Sequence, residues 1–370
     1  MSLMKNILRK KDQPITSYMD FWKWFQSNEK KFYKIVQQGE NVEPQFFEVL
    51  TEQLQELRDG FFFLTGMSDE TNAEIIFTAD GNVKNIVFVE ELVKAAPQID
   101  NWIFSAFKPA LDINNIGVRM EDYKFDKSNI SFYPIDHKYH PDEVDIVAVY
   151  NDYNTEDHDL IATGISIFLD NYLGELEYIS TIDNLSVSSP QNAEKELIPI
   201  SKLKDFLIWR EKEFVEKYDG FRYDCDSDNF QNLSAELENG KKLLAIVDSS
   251  LLAWDGKASH PWILSIRIPY VGEPGTGLPD ESTYVFLNEI EDSIMLQLKD
   301  TAGYLNLARQ TAEDSREIYF ACREFRKPSK VLDSIAKEYS NRTDIQFEIF
   351  KDKYWRTFEI FLRRFLDLAR

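Results

Sequence analysis

The residues of this sequence best suited to chemistry lie in one stretch, Asp136-His137-Lys138-Tyr139-His140-Pro141-Asp142-Glu143. Imidazole and carboxylate together suit Zn²⁺ or Fe²⁺, so His137, His140 and Asp142 are the residues expected to hold a metal if one binds. Pro134 and Pro141 argue against a helix that would bring side chains three apart onto one face. No spacing singles out a third ligand among the neighbouring carboxylates. A solvated acidic loop is therefore the first expectation, and a metal-dependent hydrolase built on this cluster is an alternative.

Other near-matches each lack a necessary part. Asp224-Cys225-Asp226-Ser227-Asp228-Asn229 has the alternating carboxylates of a Ca²⁺ loop, but its twelfth position is Ala235, where a bidentate Glu is needed. Ser201-x-x-Lys204 with Ser227-Asp228-Asn229 matches two elements of the penicillin-recognising enzymes, yet no Lys-Thr-Gly exists in the chain. Ser201 is better explained as a helix N-cap. The segment from Gly272 to Gly277 is glycine-rich but contains Glu273 and has no Lys-Ser/Thr after it, so it does not cradle phosphate as a P-loop does. His158 and His260 have no Ser or Cys partner by spacing. Cys322 alternates with Ile318 and Phe320 on an expected strand, which marks it as a buried small hydrophobe.

The elements that must position these residues follow from periodicity. Phe21-Trp22-Lys23-Trp24-Phe25 opens a helix running to about Gln37, and its aromatic run reads as core. A second helix places Phe46, Phe47, Leu50, Leu54 and Leu57 on one face, with Pro44 near its start and Gly60 past its end. Strands are expected at 61–64, 73–78, 102–107, 130–134 and 144–150, with helices at 88–96 and about 160–172. Thr155 is the expected N-cap of the last of these helices, and Gly174 its stop. Further strands are expected near 243–247, 263–268, 304–308, 317–322 and 345–350, and helices over 201–218, 287–298, 329–339 and 355–368. Irregular alternation with hairpin-like spacings predicts an α+β fold with largely antiparallel sheets flanked by helices.

A length of 370 residues predicts two domains. The polar, Ser-rich stretch without periodicity at 184–200 is the expected linker, between an N-terminal domain at 4–183 and a C-terminal domain at 201–370. No apolar run approaches the ~20 residues of a membrane span, and no charged-then-apolar leader opens the sequence. With two cysteines, this places the chain in the cytoplasm. The net charge of −22 repels phosphate backbones and anionic lipid, so neither nucleic acid nor membrane is an expected partner. The charge itself reads first as solubility; a protein partner, of basic character, is the expected one, and an acidic nucleic-acid mimic is a further alternative. No cofactor is expected.

The C-terminal half resembles the bacterial family called domain of unknown function 695. The resemblance rests on Gly277-Leu278-Pro279 leading into an acidic helix with Glu291-Asp292, on Arg316-Glu317-x-Tyr319-Phe320, and on Asp352-x-x-Trp355. It covers roughly residues 240–365. The strand–helix–strand tail is also similar to the ferredoxin-like domain of a bacterial inhibitor of ribonuclease E, which implies a ferredoxin-like C-terminal part and regulation by protein binding. The N-terminal half is similar to an uncharacterised aromatic-rich module, on Phe21-Trp22-x-Trp24-Phe25, Ala96-Pro97, Trp102, Ala106-Phe107-Lys108 and Gly174-Glu175. Neither resemblance implies a catalytic residue. Together these readings predict a non-catalytic protein-binding or regulatory module, of which an immunity-type neutraliser is one form.

Overall fold

A computed structural model of the protein describes residues 14–214 and 228–358. Contacts divide the chain into two compact units, Met1–Lys108 and Pro109–Arg370.

In the first unit, α1 (Tyr18–Gln38) begins at Ser17, whose hydroxyl accepts the Asp20 N–H at 3.2 Å, and stops at Gly39. A π-helical turn at Glu43–Phe47 leads into α2 (Glu48–Leu57). Strands β1 (Phe62–Met67) and β2 (Ala73–Thr78) pair antiparallel, and α3 (Val83–Lys94) returns the chain so that β3 (Trp102–Ala106) joins β2 in parallel. One face of this sheet meets the aromatic run of α1. Trp22 packs on Phe104 at 4.6 Å between ring centres and Phe25 on Trp102 at 5.2 Å. Phe46 adds a contact with Phe63. The Trp22 indole N–H donates to the Leu92 carbonyl at 2.8 Å, which satisfies that buried donor and fastens α1 to α3. Phe21, Trp22 and Phe25 are buried, so the aromatic run is core, as its sequence suggests.

The second unit contains a short hairpin, β4 (Val118–Met120) with β5 (Tyr123–Phe125), and a mixed sheet. In that sheet β6 (Ile130–Ile135) and β7 (Asp145–Tyr150) are antiparallel. The chain then passes through α4 (His158–Leu173) and α5 (Glu175–Thr181). It returns as β8 (Asn184–Ser188), parallel to β7, and β9 (Ile198–Pro199), antiparallel to β6. α6 (Leu203–Phe214) follows. Strand β7 is buried along its whole length because both of its faces are covered. Ile146, Ala148 and Tyr150 belong to the core of α4, while Val147 and Val149 pack with Tyr133 beneath Ala193 and Leu197.

The same unit continues with β10 (Phe230–Glu236), β11 (Lys242–Asp248), the one-turn α7 (Ser249–Leu252) and β12 (Trp262–Pro269). Next come α8 (Glu281–Gln297), the hairpin β13 (Tyr304–Ala312) and β14 (Ser315–Cys322), α9 (Arg326–Glu338) and β15 (Gln346–Lys351). The strands form one six-stranded sheet in the order β10-β11-β13-β14-β12-β15, antiparallel at every pairing. The chain is thus an α+β protein with largely antiparallel sheets; the exceptions are the β2–β3 and β7–β8 pairs. No helix among the described residues is long and apolar enough to cross a membrane.

The structure departs from the sequence reading at residues 184–200. They do not form a linker: β8 and β9 both add to the second unit's sheet, and the boundary between units falls after Lys108. The stretch looks unstructured because β8 is an edge strand. Leu185 and Val187 pack on the core of α4, and Asn184, Ser186 and Ser188, which alternate with them, are polar. Ser201 is no N-cap either; it sits inside a 3₁₀ turn, Ile200–Lys202, that already leads into α6. Asn154, not Thr155, caps the turn ahead of α4. The helix expected at 355–368 lies largely outside the described residues, as do Asp224 to Ser227 of the Ca²⁺-like stretch and Cys225.

Candidate functional site

Strand alternation sets the site. Tyr133 and Ile135 of β6 lie on the same face as Val147 and Asp145 of β7, since they are paired residues, and His137 continues that alternation just past the strand end. Asp145 also stands directly opposite Asn184 of β8. His137 Nε2 therefore meets Asp145 Oδ2 at 2.7 Å, and Glu143 Oε2 lies 3.8 Å from the same nitrogen. These three ligand-capable atoms all fall within 4.8 Å of one another. Glu143 is 3% exposed, yet its Oε2 accepts no hydrogen bond. The outer oxygens are held in place: Asn184 donates to Asp145 Oδ1 at 2.7 Å, and Arg356 pairs with Glu143 Oε1.

Only His137 of the three expected ligands enters this group. His140 instead stacks on Tyr354, with ring centres 4.2 Å apart. The Asp142 carboxylate accepts the Tyr354 hydroxyl at 2.8 Å, and its carbonyl accepts the Lys353 ammonium at 2.8 Å. The tight turn that closes with the Glu143 N–H on the His140 carbonyl points consecutive side chains in different directions. Proximity in sequence is thus a poor guide within this loop. Glu143 stood at the edge of the suspect stretch. Asp145 and Asn184 did not, because each looks like an ordinary strand-start residue until the pairing of β7 and β8 is known.

Next to this group sits a second, charge-paired network. Asp183 receives Lys351 at 2.6 Å and Lys353 at 2.5 Å on its two oxygens, and the Val144 N–H at 2.7 Å. Burial raises the Asp183 carboxyl, but the two ammonium groups outweigh it and hold the group below its usual range. Burial pushes Lys351 down to about 8 against the pull of Asp183. Arg210 of α6 donates to the Glu143 carbonyl at 2.8 Å and to that of Pro141. The 136–145 loop is consequently clamped by α6 on one side and by residues 351–356 on the other.

The remaining near-matches have structural roles. Tyr270 OH donates to the Gly277 carbonyl at 2.9 Å, and Gly272 N–H to Asp314 Oδ1 at 3.0 Å. The glycine loop thus braces the β13–β14 turn, and a Cβ on Gly277 (φ 67°) would come 3.2 Å from Glu313 Cα. Lys204 lies over the Tyr172 ring at 4.5 Å. His158 Nδ1 is bonded to Tyr153 and His260 Nδ1 to Ser259, each at 2.8 Å. Arg316 is 1% exposed and pairs with Glu291 at 3.3 Å, which makes both motif residues parts of a buried ion pair. Trp355, 1% exposed, donates its indole N–H to the His260 carbonyl at 2.9 Å.

A separate surface stands out in the first unit. On the sheet face opposite the aromatic core, Phe62, Leu64 and Ile103 are 50%, 45% and 38% exposed, with part-buried Ile76 paired to Leu64. Glu74 and Ser105 share this face and bond to each other at 3.0 Å.

No curated protein and no solved structure matches the chain. The segment 228–363, which contributes Lys351, Lys353, Tyr354 and Arg356 to the clamp, matches the model of a family of unknown function (DUF695).

Proposed function

We propose that the chain is a non-catalytic protein-binding module whose partner docks on the open sheet face of the first unit. One observation carries this reading. Phe62 and Leu64 of β1 and Ile103 of β3 lie on one exposed sheet face, with Ile76 and Glu74 of β2 between the two strands, and apolar side chains there gain by being covered. The net charge of −22 favours a basic partner, drawn in by long-range attraction before the apolar contact forms. In the C-terminal part, β12-α8-β13-β14-α9-β15 with the order β13-β14-β12-β15 supports the ferredoxin-like reading, and by analogy a regulatory role. A cytoplasmic neutraliser of a basic toxin is one form this role takes.

The test is affinity purification from the native host with the wild-type chain and with a Phe62→Ser, Leu64→Ser variant. A basic protein captured one-to-one by the wild type, lost in the variant and weakened by salt, supports the reading. Identical capture by both chains, or capture of nothing, overturns it.

A further inference from the structure

We propose that His137, Glu143 and Asp145 form a binding site for one divalent cation of the Zn²⁺ type. A nitrogen and two carboxylate oxygens make the mixed donor set that such an ion prefers. Ligands at about 2.0–2.2 Å from a tetrahedral ion stand roughly 3.3–3.6 Å from one another. The present separations from His137 Nε2, 2.7 Å to Asp145 and 3.8 Å to Glu143, bracket that value, so side-chain adjustments alone accommodate the ion.

Burial supplies the second, independent reason. Glu143 Oε2 faces His137 Nε2 from a side chain that is 3% exposed, and it accepts no hydrogen bond. A buried carboxylate oxygen left without a donor has lost its hydration uncompensated, and a cation at this point offsets that loss. The other oxygens are already committed. Asn184 holds Asp145 Oδ1 and Arg356 holds Glu143 Oε1, so each carboxylate turns its second oxygen toward the imidazole. This is how outer partners orient metal ligands. The nearby ammonium groups do not compete for the position, since Lys351 and Lys353 are both engaged by Asp183. The His137 side chain is 27% exposed, which leaves an entry path and room for water on the ion.

The site lies in the second unit and does not depend on the protein-binding reading. The full-length chain, stripped with a chelator, is titrated with ZnCl₂ by calorimetry. The expected result is one ion per chain, binding abolished in His137→Ala and unchanged in His140→Ala. Asn184→Ala, which leaves all three ligands in place, lowers affinity about 10–100-fold. Circular dichroism checks that each variant is folded, and Asn184→Ala keeps the test decisive if His137→Ala is not. An absence of binding to the wild type, or wild-type affinity in folded His137→Ala or in Asn184→Ala, overturns the proposal.

Discussion

The Asp183 carboxylate and the Lys353 ammonium meet at 2.5 Å although 170 residues of chain separate them. Both are nearly buried, and Lys351 takes the other carboxylate oxygen. The contact fastens the entry of β8 to the segment that follows β15. It therefore holds the family-matched module against the mixed sheet of the same unit. Its chemistry gives it high stakes, because neither charge has water to fall back on.

Replacing Asp183 by Asn is expected to be strongly destabilising. The substitution keeps the shape but leaves two buried ammonium groups without a counter-charge, a loss of about 3–5 kcal/mol. Urea unfolding of the second unit at neutral pH measures it. An unchanged midpoint would show that the pair contributes nothing net.

The same carboxylate sets an acid limit. Its folded pKa is below the ordinary 3.8, so its stabilising contribution is complete above that value and is lost as pH falls through the folded pKa. Wild type and Asp183→Asn should thus differ most near pH 6 and draw together as pH falls below the ordinary carboxylate range. Urea midpoints across pH 6 to 2.5 give the two curves; parallel curves contradict the assignment.

Gly164→Ala should destabilise even though alanine is the better helix former. Gly164 lies within α4, where a Cβ would come 2.2 Å from the Phe125 ring, and Phe125 is fully buried. Overpacking of this kind costs about 1–3 kcal/mol, more than the ~0.5–1 kcal/mol gained in propensity. Thermal unfolding of Gly164→Ala, Phe125→Leu and the double variant forms the check. The double variant should be more stable than the two single losses added together.

Cys322 should not react with alkylating reagents in the folded protein. Burial pushes its thiol well above the ordinary value, and its side chain has no exposure. Iodoacetamide labelling at pH 8, mapped by mass spectrometry with and without denaturant, tests this. Rapid labelling without denaturant would mean that β14 opens locally.

Helices with strong caps or faces were legible from the sequence. The Phe21–Phe25 run belongs to buried α1, and Gly174 ends α4, because a local pattern and its terminator suffice for such elements. Strand β8 was not legible. Asn184-Leu-Ser-Val-Ser resembles a loop until Leu185 and Val187 find the core under α4. Of the expected ligands, His137 was placed in the group by the structure, whereas His140 and Asp142 were turned away by the loop's tight turn.

The sequence by itself determined most of the helices and the core strands, the acidity of the whole, and the stretch where imidazole and carboxylates are dense. Tertiary structure alone decided which of them meet. Strand register sets Asp145 opposite Asn184 and within reach of His137, while the packing of β15 brings Lys351 and Lys353 to Asp183. Periodicity is a property of neighbours along the chain; register and long-range ion pairing arise only when distant segments compete to bury their apolar faces together.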